Sequence, residues 1–186
     1  MSPPRTRILL VCTANQCRSP LAEAIAKRAA GDLPVDFTSA GLLEGGRSTP
    51  ANGVRVAAEL GLDLSGHVSR QFDPATAGEY AVILTMTRAQ ATDVIANQPE
   101  LWPRVFTLKQ FARWIRDSAA PWGPDLGSWL DEAAADRSLA EIVGSSPRDD
   151  VRDPLISPPR VWRSVARELQ RNLSDILESL YPSETA

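Results

Sequence analysis

Cys12 and Arg18 are separated by five residues in the stretch Val11-Cys12-Thr13-Ala14-Asn15-Gln16-Cys17-Arg18-Ser19-Pro20. A thiolate is a strong nucleophile, and a guanidinium can grip two oxygens of a phosphoryl group at once. The loop's surroundings favour that use. Residues 7–11 form a short apolar run that reads as a buried strand, and residues 20–30 are rich in helix formers. Ser19 is read as the N-cap and Pro20 as the first helical residue. The Cys-x5-Arg loop therefore lies between the carboxyl end of a strand and the amino end of a helix. There the unpaired N–H groups and the helix dipole attract an anion, and both, with Arg18, favour the thiolate form of Cys12. The N–H groups of residues 13–18, in Thr13, Ala14, Asn15, Gln16, Cys17 and Arg18, are placed to ring a phosphate. Ser19 can donate its hydroxyl to the sulfur and ease its departure in a second step.

Transfer from an oxygen ester also needs a proton for the leaving group. Asp149, Asp150 and Asp153 occur together in Asp-Asp-Val-Arg-Asp-Pro, and Asp153 alone precedes a proline. The proline biases Asp153 to an extended backbone on a stiff loop, which fixes where its carboxylate points.

The sequence around the loop resembles the low-molecular-weight protein tyrosine phosphatases. The resemblance continues through Ser39-Ala40-Gly41, residues 67–71, the strand ending in Thr85-Met86, and Asp153-Pro154. It implies Cys12, Arg18, Asp153 and Ser19 as catalytic residues and a phosphocysteine intermediate. Asp153 acts first as acid and then as the base that activates water. Asn15 and Ser39 match positions that brace the phosphate loop. Thr13, Ala14, Asn15, Gln16, Cys17, Leu43 and Leu155 are expected to line the substrate pocket. Cys17 matches a position that forms a reversible disulfide with the nucleophile, and the alternative is that it packs beneath the loop.

Departures from the family pattern concern the pocket. The usual loop glycine is Ala14, and Gln16 places an amide where bacterial members commonly carry isoleucine. Residues 42–48 lack the aromatic expected beside a phenyl ring, Leu155-Ile156 replace common aromatics, and Thr87 replaces an acidic residue. A phosphotyrosine protein is the expected substrate. Protein-arginine or small-molecule phosphatase activity is the alternative on the same scaffold, followed by arsenate reductase and a non-catalytic phosphate-binding module. The absence of cysteines after Cys17 argues against the reductase.

With 186 residues, one α/β domain spanning 1–186 is expected. Strands are read at 7–11, 35–40, 80–85 and 104–108, and helices at 20–30, 49–60, 88–96 and 159–181. The alternation means a parallel sheet with helices on both faces. The resemblance implies four strands in the order 2-1-3-4. An insertion at about 112–149, carrying Trp114, Trp122 and Trp129 and a helix at 136–143, leads directly into Asp153. Its tryptophans are read as anchoring it to the domain, with a partner or substrate surface as the alternative, and its lead into Asp153 suggests a lid or outer wall over the site. Residues 1–6 are read as a mobile arm and His67 as structural.

A net charge of −3 carries no basic footprint for nucleic acid, and no apolar run is long enough for a membrane. Two cysteines so close together do not make a disulfide scaffold, and a single histidine speaks against most histidine-based metal sites. No cofactor or metal is expected. A cytoplasmic monomer or weak dimer is expected. The resemblance makes a tyrosine autokinase a candidate partner.

Overall fold

The computed structural model describes residues 5–118, 120 and 125–182. Four strands, β1 (Thr6–Cys12), β2 (Val35–Gly41), β3 (Val82–Thr85) and β4 (Val105–Thr107), form one parallel sheet in the order β2-β1-β3-β4. In the register, Cys12 lies opposite Gly41 and Val11 opposite Thr85. The strand ends thus converge where the loop after β1 begins.

Side chains alternate across this sheet, as the period of two requires. Ile8, Leu10 and Cys12 face a large core with Leu84 and Phe106, while Leu9 and Val11 face a smaller one with Ile83 and Val105. The large core is covered by α1 (Arg18–Ala30), α2 (Ala51–Glu59), α4 (Leu108–Arg116), α5 (Leu126–Ala133) and α6 (Pro159–Leu180). Helix α3 (Arg88–Asn97) covers the other face with Ala91 and Val94. In α6 the residues Trp162, Val165, Leu169, Leu173, Ile176 and Leu180 form a buried stripe at helical spacing.

The structure corrects several expectations. Helix α1 starts at Arg18 with Cys17 as N-cap, so Ser19 does not cap it and Pro20 is its third residue. The Ser19 hydroxyl has partners in the site instead. A proline is tolerated there because the first N–H groups of a helix have no intrahelical acceptor. Residues 136–143 hold only a short 3₁₀ turn at Leu139–Glu141. The α-helix lies earlier, in α5, where Leu126, Leu130 and Ala134 repeat every four residues and are buried. The expected insertion start at Ala112 falls inside α4. A Thr107–Gln110 capping box opens that helix, and Leu108, Phe111, Ala112 and Ile115 bury its apolar face. The arm at 1–6 is not wholly free: Thr6 begins β1, and Arg5 bonds Asp36 at 2.7 Å and Val35 O at 2.9 Å.

Candidate active site

The loop after β1 is held from below by a buried polar network. Asn15 is fully buried, and it alone among the described non-glycine residues has a positive φ, of 50°. Asparagine tolerates this left-handed backbone better than most residues. Its Nδ2 donates to Ser19 Oγ at 3.0 Å and to Ser39 Oγ at 2.8 Å, while its Oδ1 accepts from Arg70 N at 3.0 Å. His67 Nε2 bonds the Asn15 carbonyl at 2.7 Å. Gly41, at the end of β2, lies against the loop so closely that a Cβ there would stand 2.7 Å from the Ala14 carbonyl carbon and the Asn15 nitrogen.

Ser19 Oγ donates to Cys12 Sγ at 3.1 Å. The sulfur thus has a hydroxyl donor on the helix side. Arg18 is buried except for one edge: its guanidinium donates to Asp153 Oδ2 at 2.6 Å and to the Val151 carbonyl at 3.2 Å. Arg18 Nε is buried and has no partner among the described residues. Asp153 Oδ1 accepts from Leu155 N at 3.1 Å, which turns the Asp-Pro loop back on itself.

These groups enclose a cavity of about 200 Å³ lined by Cys12, Thr13, Ala14, Gln16, Cys17, Arg18, Leu43, Arg47, Asp153 and Leu155. Of the residues singled out from sequence, Asn15, Ser19 and Ser39 lie beneath the loop and not on the cavity wall. The remaining ones come together around the cavity. Asp149 and Asp150 do not join them. Asp149 pairs with Arg88 and Arg113, and Asp150 Oδ1 accepts from Arg88 N at 2.8 Å.

Two contributors escaped the sequence reading. Arg47 lines the wall because Arg47 N donates to Ser69 Oγ and Ser69 N donates to Arg47 O, pinning its segment. Gln90, buried in α3, donates to Thr13 Oγ1 at 2.9 Å and accepts from Met86 N at 2.9 Å. His67, read as structural, has that role in its bond to the Asn15 carbonyl. A glutamine in the first turn of a helix and a loop arginine carry no local sequence signal for such roles.

Cys17 departs from the sequence argument in its chemistry. Burial, then the charges of Asp153 and Cys12, push its thiol up to about 12. It is therefore not the low-pKa thiol that the sequence argument assumed at this position.

No described residue of 117–149 lines the cavity. The segment packs on the β4 edge of the molecule. Trp114 lies 5.2 Å from Phe106 and 5.4 Å from Trp129 between ring centres. Arg137 stands over the Phe106 and Trp102 rings. Trp114 and Trp129 thus anchor the segment, and nothing described reaches over the site. Trp122 lies outside the described residues.

The sheet, the loop and the cavity define an α/β protein with a Cys-x5-Arg anion-binding loop at the carboxyl end of its first strand. The family model described as low molecular weight phosphotyrosine protein phosphatase matches residues 7–121. The chain is 34% identical over 114 residues to the low molecular weight protein-tyrosine-phosphatase Wzb of Escherichia coli strain K12, which covers 61% of this chain and 75% of that protein. Among solved structures, the arginine phosphatase YwlE from Geobacillus stearothermophilus is 26% identical with a TM-score of 0.70, over 94% of this chain and 92% of its own. A low molecular weight protein tyrosine phosphatase from T. tengcongensis has a TM-score of 0.71 at 24% identity, over 94% of this chain and 99% of its own. The chain belongs to the low molecular weight phosphotyrosine protein phosphatase family. The matched region ends before Asp153, so that residue's place rests on geometry.

Proposed function

We propose that the chain hydrolyses phosphotyrosine in proteins through a phosphocysteine intermediate. The observation that carries this reading is the convergence of Cys12, Arg18 and Asp153 on one cavity, with Ser19 Oγ 3.1 Å from the sulfur. A phosphoryl group seated in the loop presents its phosphorus to Cys12 Sγ. The loop N–H groups and Arg18, whose buried Nε lacks a partner among the described residues, take its oxygens. The sulfur attacks as the P–O bond to tyrosine breaks, and Asp153 delivers its proton to the departing phenolate oxygen. In the second step Asp153 as carboxylate takes a proton from water, the water oxygen bonds to phosphorus, and the P–S bond breaks with Cys12 leaving as thiolate. Ser19 stabilises that thiolate by its hydrogen bond. Before the first step Asp153 must leave its ion pair with Arg18 and take up a proton, and an incoming phosphate dianion favours this by claiming the guanidinium.

Phosphoarginine is the second reading, prompted by the likeness to the arginine phosphatase. The cavity wall favours tyrosine. Leu43 and Leu155 offer aliphatic surface to a phenyl ring, and Asp153 is the sole acidic group among the described lining residues. Arg47 adds a cation where a guanidinium-bearing substrate would be repelled. A phosphorylated protein, with a tyrosine autokinase among the candidates, is the partner this reading implies. A cytoplasmic setting is proposed with it. No helix among the described residues is long and apolar enough to cross a membrane.

The test is hydrolysis of phosphotyrosine, phosphoserine and phosphoarginine peptides side by side, with Cys12→Ser and Asp153→Ala variants. Turnover of the phosphotyrosine peptide, abolished in Cys12→Ser and reduced about 10²-fold or more in Asp153→Ala, is expected. Turnover of the phosphoarginine peptide alone would contradict the substrate, and undiminished activity of Cys12→Ser would contradict the mechanism.

A further inference from the structure

The carboxyl end of β3 and the first turn of α3 touch both halves of the site. Gln90 reaches Thr13 of the phosphate loop, and Met86 O accepts from Val151 N at 2.7 Å, two residues before Asp153. The strongest restraint in this region is a carboxylate. Asp149 is 2% exposed, and it and Arg18 are the only aspartate, glutamate, lysine or arginine residues among the described ones that are buried. Asp149 Oδ2 accepts from Arg88 Nε at 2.7 Å and from Gln110 Nε2 at 3.2 Å, while Oδ1 takes the Arg113 guanidinium. Arg88 comes from α3, and Arg113 and Gln110 from α4. One carboxylate therefore ties both helices to the chain four residues before Asp153.

The next residue repeats the pattern with its own ends. Asp150 Oδ1 accepts from Arg88 N at 2.8 Å, its Oδ2 accepts from Ser146 N at 3.0 Å, and Lys109 Nζ donates to its carbonyl at 3.2 Å. Downstream, residues 151–158 contain no regular element, and the Asp153 side chain is about half exposed at 47%. Beyond Val151, Pro154 is buried, Ser157 N donates to Pro154 O at 2.8 Å and Asn52 of α2 donates to Ser157 O at 3.2 Å, while the Asp153 carboxylate itself is held by the turn to Leu155 and the exchangeable pair with Arg18. When substrate claims Arg18, that pair is lost, and the position of Asp153 then depends on how firmly the two ends of the loop are held, residues 149–151 being the nearer to the site.

We infer that Asp149, clamped between Arg88 and Arg113, is a positioning residue that aims Asp153 at the leaving oxygen. The inference rests on the assignment of Asp153 as the acid. A buried ion pair is a poor device for stability, because desolvation offsets most of its attraction, but it fixes geometry where alternatives are costly. Here it fixes the near end of a loop without regular structure, whose far end is tied to α2 through Asn52 and Ser157. Sub-ångström drift at the near end is enlarged at Asp153, and proton transfer demands hydrogen-bond reach.

Protonation of the leaving group matters most when that group is a poor one, and this separates positioning from plain structural damage. The experiment measures kcat and KM on phenyl phosphate and on p-nitrophenyl phosphate for the wild type, Asp153→Asn, Asp149→Asn and Arg113→Gln. Thermal denaturation of each variant reports its folding. Asp153→Asn should lose far more kcat on phenyl phosphate than on p-nitrophenyl phosphate. Asp149→Asn should show the same selective loss, about tenfold greater on phenyl phosphate, with KM nearly unchanged. Arg113→Gln keeps Arg88 on the carboxylate and should show a smaller loss with the same selectivity. It provides the test if Asp149→Asn does not fold. Equal losses on both substrates in folded Asp149→Asn and Arg113→Gln would overturn the inference. A flat response of Asp153→Asn itself would instead overturn the assignment of the acid.

Discussion

At the scale of single residues, the two cysteines share a cavity but not an environment. Both are buried; Cys12 Sγ receives a hydroxyl hydrogen bond, whereas burial and the neighbouring negative charges push the Cys17 thiol up to about 12. At pH 8 the Cys17 thiol therefore stays protonated, and the thiolate is the reactive form. Iodoacetamide at pH 8 is therefore expected to modify Cys12 and leave Cys17 untouched, as peptide mass mapping would show. Preferential labelling of Cys17 would contradict this. Cys12, Arg18, Ser19 and Asp153 were legible from residue type, spacing and the Asp-Pro pair, because each acts through its own side chain at a motif position. The Cys17 environment was not, since its main cause is burial by residues distant in sequence. Arg47 and Gln90 stayed hidden for the same reason: their roles come from Ser69 and Thr13, neither of which is a close neighbour in the chain.

At the scale of elements, the site depends on how tightly strand ends meet the loop. Gly41 closes β2 directly beneath Ala14 and Asn15, and a Cβ placed there falls 2.7 Å from loop backbone, nearer than side-chain carbons approach. Backbone cannot swing aside as a flexible side chain can, so the phosphate loop itself must shift. Gly41→Ala is expected to lower kcat/KM by about 10²-fold, with far-UV circular dichroism unchanged. Wild-type activity in that variant would show that the loop is not braced by β2. The sheet and helices α1, α2, α3 and α6 were legible because their apolar spacing is regular. Helix α5 was missed because Gly127 and two nearby prolines masked the Leu126, Leu130, Ala134 repeat. The expected helix at 136–143 failed because the segment offers one buried apolar residue, Ile142, while Arg137 turns inward under Trp102 and Phe106.

At the scale of the whole molecule, two cores on opposite faces of one sheet hold β1 rigid, and the segment 117–149 is fastened along α3, α4 and the β4 edge. Arg113 Nη1 donates to Arg148 O, Lys109 Nζ to Pro147 O, and Gln110 Nε2 to Glu141 O. Asp149 ends this row. Burial alone would raise its carboxyl, but hydrogen bonds from Arg113 and Arg88, with their charges, outweigh burial and hold it below the ordinary carboxylate range. The folded state thus binds that proton less tightly than the unfolded one. Its contribution to stability is full above about pH 4 and is lost as pH falls through the depressed folded value. Urea denaturation should find Asp149→Asn less stable than wild type by about 3 kcal/mol or more at pH 7, with the gap narrowing in strong acid. A gap that widens on acidification would contradict the sign. Nothing in the sequence marked Asp149 over Asp150, because the distinction is made by arginines in two helices that the fold brings together.

The central claim is that Cys12 carries the phosphoryl group during turnover. The most direct measurement is a rapid acid quench of the protein during hydrolysis of a phosphotyrosine peptide, followed by mass mapping of its own peptides. The Asp153→Ala variant runs alongside with p-nitrophenyl phosphate, whose good leaving group depends little on the acid, so that slower hydrolysis of the intermediate should raise its occupancy. The expected result is one phosphoryl group on the peptide containing Cys12, absent in Cys12→Ser. Steady release of phosphate with no phosphorylated Cys12 at any quench time, or a phosphoryl group on another residue, would contradict it.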